Sequence, residues 1–105
     1  MQAIPADRIH AASEGLRAIA HDVRLSALCH LLDGPMCVSE LMEATGAAQS
    51  NLSQHLAKMR MLGIVATEKR GQHVYYRIAN PAFGDLIAAL RKIYCPEMCG
   101  PGGKA

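Results

Sequence analysis

Residues 36–78 read MCVSELMEATGAAQSNLSQHLAKMRMLGIVATEKRGQHVYYRI, and the succession of patterns in them decides the fold. Cys37-Val38-Ser39-Glu40 has the form of a capping box, with Cys where Ser or Thr usually stands. It predicts a helix over 38–45 that turns Val38, Leu41 and Met42 inward, and Gly46 closes that helix. A second helix over about 48–62 places Leu52, Leu56, Met59 and Leu62 on an inward face. Gln49, Ser50, Asn51, Ser53, Gln54 and His55 crowd the other faces of its N-terminal half. A plain solvated face is more often filled with Glu and Lys. Amides and hydroxyls suit base edges, since Asn and Gln pair bidentately with adenine. Residues 64–69 and 73–78 then alternate and are rich in β-branched or aromatic side chains, with Arg70-Gly71-Gln72 between them, which is a β-hairpin pattern. Lys69, Arg70 and Gln72 at its tip are placed to reach phosphates or a minor groove. A helix, a turn, a polar-faced helix and a basic hairpin make a winged helix-turn-helix, a module that reads DNA.

Outward from that stretch, the pattern stays helical. Ile9, Ala12, Leu16 and Ile19 form one stripe of a helix over 8–20. Asp22 is placed to cap a second helix, which Asp33-Gly34-Pro35 stops. After the hairpin, Asn80-Pro81 starts a last helix with Phe83, Leu86, Ile87, Leu90 and Ile93 as its apolar stripe. The expected fold is mainly α with a β-hairpin wing, in the order four helices, two strands, one helix. One domain is expected over 1–105, with an ordered core at about 8–95 and a flexible C-terminal tail at 96–105.

Charge agrees with this placement. The net charge is only +2. Residues 47–80, however, hold Lys58, Arg60, Lys69, Arg70 and Arg77 against Glu68 alone, five positive charges to one negative. Phosphate attraction needs charge on the contacting segment more than a high total. No apolar run approaches the ~20 residues of a membrane span. The N-terminus lacks a signal-peptide layout, so a cytoplasmic protein with reduced thiols is expected. No Ser/His/Asp constellation, phosphate-cradling Gly loop or thioredoxin-like C-x-x-C motif occurs, so no enzyme is expected.

Four cysteines remain: Cys29, Cys37, Cys95 and Cys99. Taken alone, Cys29 reads as a buried core residue. Cys37 is either a cap in place of Ser or a thiol activated by the helix N-terminus. Cys95-Pro-Glu-Met-Cys99 reads as a metal or arsenite clip, a resolving thiol or a loose tail. His21 and His30 lie near by in sequence, but such histidines are more often polar surface or core groups than ligands.

Over residues 9–95 the chain resembles the ArsR/SmtB family of bacterial repressors. The resemblance rests on the order of elements, on QSNLSQHLAKMRMLG and on the wing ending in GQHVYYRI. It implies a homodimer built from the first and last helices, with Ile9, Leu16, Ile19, Leu86, Leu90 and Ile93 at the interface, on a palindromic double-stranded operator. Ala47-Ala48 departs from the capping Ser of many relatives. The family's arsenic sensors carry two thiols where this chain has Cys37-Val38-Ser39. Its zinc sensors use Asp and His of the last helix, where this chain has Asp85 and no His. Cys29 and Cys95 match instead the dithiol of the branch typified by SqrR, BigR and HlyU, which senses reactive sulfur species without a metal cofactor. That match implies a repressor released when persulfide or polysulfide crosslinks Cys29 and Cys95. The alternative is a repressor induced by arsenite, As(III), or another thiophilic metal held by Cys37, Cys95 and Cys99. A thiol redox or metal-carrier protein is the third reading.

Overall fold

A computed structural model of the chain describes residues 2–98. Among these, α1 (Ala6–Ile19) and α2 (Asp22–Leu31) precede β1 (Met36–Cys37). Next come α3 (Val38–Thr45), α4 (Gln49–Met61), β2 (Val65–Arg70), β3 (His73–Ile78) and α5 (Pro81–Tyr94). A 3-10 turn, Pro96–Met98, follows α5. The fold is the expected winged helix-turn-helix, with α3 and α4 as the helix pair and β2–β3 as the wing.

Local chemistry sets most of the boundaries. α3 begins where the Cys37 N–H donates to Glu40 Oε1 at 3.0 Å, the returning half of the capping box. It ends at Gly46, whose φ of 76° is the left-handed conformation that glycine adopts without a Cβ penalty. Thr45 shapes the turn that follows: its Oγ1 donates back to the Leu41 carbonyl and accepts from the Ala47 N–H. The wing closes over two residues, Gly71 and Gln72, and Gly71 has φ 63°. α5 starts on Asn80, whose Oδ1 accepts from the Ala82 N–H at 2.9 Å, with Pro81 at its first position.

Several expectations are corrected. α2 is capped by His21, not Asp22: the His21 Nδ1 accepts from the Val23 N–H at 3.1 Å. Residues 36–37 form a strand antiparallel to β3, pairing Met36 with Tyr76 and Cys37 with Tyr75. The sheet is therefore three-stranded in the order β1-β3-β2 rather than a bare hairpin.

The core lies where α2, α3, α4 and α5 meet the root of the wing. Leu28, Leu41, Leu52, Leu56, Met59, Ile64, Val65 and Ile87 are all fully buried there. Burying each such side chain contributes about 1.5–3 kcal/mol. Two stripe ends differ from expectation. Leu62, expected inward, is 50% exposed: it is the C-cap just past α4, whose last buried residue is Met59. Ile19, expected at a dimer interface, is 3% exposed within the protomer. There the C-terminal end of α1 dips into the core, so Ile19 is not available to a partner.

Candidate nucleic-acid interface and thiol pair

The burial of Leu52, Leu56 and Met59 fixes which way α4 faces. Gln49, Ser50, Asn51, Gln54 and Lys58 are exposed, and Ser53 is half-buried at the edge of the same surface. Ala48 at the N-cap offers no side-chain acceptor, so the first N–H groups of α4 stay open at the positive end of the helix. On the wing, Lys69, Arg70 and Gln72 are exposed as expected. Arg70 is partly occupied: Nη2 pairs with Glu68 Oε1 at 3.1 Å, and the guanidinium lies 4.8 Å from the Tyr75 ring centroid. Lys69 makes no ion pair among the described residues.

His55 departs from the expected set of DNA readers. Its Nδ1 accepts from the Arg24 Nε–H at 2.9 Å, and its ring sits 4.2 Å, centroid to centroid, from that of His21. The ring is turned toward α2. Burial, and then the neighbouring His21 and Arg24, hold its pKa below the ordinary imidazole value. Arg24 also donates through an Nη to the Ala18 carbonyl at 2.8 Å, a group in the last turn of α1 that the helix leaves open. One guanidinium thus ties α1, α2 and the polar helix α4 together.

A second arginine holds the opposite end of α2. Arg91 Nη1 of α5 donates to the Cys29 carbonyl at 3.1 Å and pairs with Asp33 at 3.3 Å. The Leu28, His30 and Leu31 carbonyls are met by backbone N–H groups past the helix end. Arg91 meets the Cys29 carbonyl with a positive charge, which also suits the helix C-terminus. Cys95, half-buried, lies one turn beyond Arg91, and its N–H donates to the Arg91 carbonyl at 2.7 Å. Cys29 is likewise half-buried. Cys37 lies elsewhere, at the end of β1 and the N-cap of α3, with its Sγ 3.2 Å from Ser39 Oγ. Cys99 lies outside the described residues. No cluster of three metal-ligating side chains occurs among the described residues. His30 Nδ1 is engaged with the Ser26 carbonyl of its own helix at 2.9 Å.

A profile of the bacterial regulatory protein arsR family matches residues 21–67, which span α2, the helix-turn-helix and the start of the wing. The HTH-type transcriptional regulator YgaV of Escherichia coli is 40% identical over 82 residues, 77% of this chain and 83% of that protein. The chain belongs to the arsR family. Two solved structures of family members superpose closely. Reduced HlyU from Vibrio cholerae has a TM-score of 0.80 at 38% identity, covering 85% of this chain and 94% of that one. The transcriptional repressor BigR from Xylella fastidiosa has a TM-score of 0.78 at 34% identity, covering 85% and 91%. As an arsR-family member the protein is a DNA-binding transcription regulator and not an enzyme. No helix among the described residues is long and apolar enough to cross a membrane.

Sequence reading passed over Arg24, Thr45 and Arg91. A signal was present for both arginines. Arg24 stands four residues before the fully buried Leu28, and Arg91 four residues after the fully buried Ile87. Helical spacing puts each on the inward face. An arginine there must find acceptors, since burying an unpaired charge is costly.

Proposed function

We propose that this regulator is a repressor that grips a palindromic operator as a homodimer and releases it when reactive sulfur joins Cys29 to Cys95. The observation that carries the thiol pair is Arg91, which brings the last turn of α5 onto the Cys29 carbonyl. The reduced state named for HlyU is in keeping with it. The Cys29 thiolate attacks the outer sulfur of a persulfide RSSH. The S–S bond breaks, RSH leaves and Cys29 becomes a persulfide. Attack by the Cys95 thiolate on the Cys29 sulfur then closes a disulfide and expels hydrogen sulfide. If a second RSSH first converts Cys95, the two protein persulfides condense to a trisulfide. Two thiols and two RSSH then give one trisulfide, two RSH and one hydrogen sulfide, so the thiols are oxidised and the outer persulfide sulfur is reduced.

DNA contact is assigned to Gln49, Ser50, Asn51, Ser53, Gln54 and Lys58 on α4, with Lys69, Arg70 and Gln72 on the wing. A dimer is supported by the bareness of α1, which buries only Ala18 and Ile19 in the protomer. Ile9 and Leu16 are left half exposed, and on α5 Ile93 is 66% exposed. A helix of this length is marginal without a surface to pack on. Leu86 and Leu90, half-buried at the same seam, complete the proposed interface.

Mass spectrometry after treatment with glutathione persulfide tests the thiol assignment. The expected result is a Cys29–Cys95 linkage, as disulfide or with an added sulfur as trisulfide, lost in Cys29→Ser and in Cys95→Ser. A normal persulfide response from both variants would refute it. For the reader, Gln54→Ala is expected to weaken operator binding by roughly 1–3 kcal/mol, measured by fluorescence anisotropy. An unchanged affinity removes Gln54 from the contacts.

A further inference from the structure

A cavity of about 470 Å³ opens between α1, α2, the C-terminal half of α4 and the start of α5. Nothing in the thiol mechanism uses it. Its walls include Phe83, the bare backbone of Gly15 and Ile64, which is 1% exposed. Three cations ring this apolar lining: Arg17, Arg24 and Lys58. The carboxylate at the rim, Glu14, is paired with Arg17 at 3.3 Å. Lys58 makes no ion pair among the described residues. Arg24 uses its Nε and one Nη, and its other Nη makes no hydrogen bond to a described residue.

Surplus positive charge over an apolar wall selects one chemistry. A neutral apolar molecule would leave Lys58 and Arg24 partly desolvated without a partner. A bare inorganic anion would leave the Phe83–Ile64 wall unfilled. The volume is that of a small-molecule site. We propose that this cavity binds a small amphipathic carboxylate, its head on Lys58 and Arg24 and its aliphatic or aromatic body against Phe83 and Ile64. Occupancy is felt on the DNA-reading helix by two routes: Lys58 stands on α4, and Arg24 donates to His55 of α4. The cavity gives the regulator an input independent of its thiols.

Titration of sodium octanoate into the ¹⁵N-labelled full chain, followed by NMR, tests this, with octanamide as the uncharged control. Saturable shifts are expected at Gly15, His55, Lys58 and Ile64, with the acid binding about tenfold or more tighter than the amide. Lys58→Met is expected to bring octanoate down toward octanamide while leaving the amide unchanged. Gly15→Leu is expected to abolish binding of both. A Cβ at position 15 meets Phe83, also a wall of the cavity, at an ordinary 3.7 Å, so the substitution adds bulk where the ligand's body would lie. Unsaturable shifts, a smaller preference for the acid, or undiminished binding in Gly15→Leu would each overturn the proposal. None of these readouts depends on Cys29 or Cys95.

Discussion

An arginine answers an open helix carbonyl at each end of α2, yet the two corners are built differently. At the N-terminal corner Arg24 meets the Ala18 carbonyl and His55 of α4. At the C-terminal corner Arg91 meets the Cys29 carbonyl and Asp33. The first corner contains imidazoles and no thiol, and it holds the reading helix. The second contains Cys29 and lies one turn of α5 from Cys95. Between them runs a single helix of ten residues, about 15 Å long. In the proposed mechanism a covalent link at the thiol corner shifts α2 as a rod. The other corner then passes the shift to α4, a change of population between binding and non-binding forms.

Substitutions at the two corners probe that contrast. Arg24→Met is expected to have the largest effect on stability, a loss of about 2–3 kcal/mol in urea unfolding, because a carbonyl and an imidazole both lose their donor. A loss below about 0.5 kcal/mol would mean that Arg24 does not hold the corner. Arg91→Met is expected to cost about 1–2 kcal/mol, since its acceptor Asp33 is exposed and can be hydrated instead. Should it prove costlier than Arg24→Met, the ranking of the corners is reversed. Asp33→Asn removes an exposed carboxylate but leaves an amide oxygen for Arg91 to meet, so less than about 1 kcal/mol is expected from the same measurement.

The smallest effect is a pH slope. His55 is held below the ordinary imidazole value, first by burial and then by His21 and Arg24. Between that lowered value and about 6.5 the unfolded chain binds more protons than the folded one. The contribution of the neutral ring to stability is therefore complete above about pH 6.5 and is lost as pH falls below it. His55→Gln, which keeps an acceptor for Arg24, is expected to flatten the slope. A slope that survives the substitution belongs to another group.

The elements legible in the sequence were those with local causes. The helix over 38–45 has the bounds that its capping box and closing glycine dictate, and β3 spans the 73–78 that its β-branched and aromatic residues mark out. What was illegible depended on distant partners. The strand at 36–37 exists because β3 lies beside it. Ile19 and Leu62 end regular stripes, and only the body of the molecule decides whether a stripe's last residue meets the core. His55 is of the same chemical kind as its neighbours on α4, and it is drawn away by an arginine 31 positions earlier. The Arg91–Cys29 contact spans 62 positions, so no window of sequence contains it.

The most direct test of the thiol corner is the operator affinity of one preparation before and after glutathione persulfide, by anisotropy of labelled DNA. Mass spectrometry should confirm the Cys29–Cys95 link in the treated sample. A fall of about tenfold or more, reversed by dithiothreitol, is the expected result and corresponds to roughly 1.4 kcal/mol. Fully crosslinked protein that still binds its operator with unchanged affinity would contradict it.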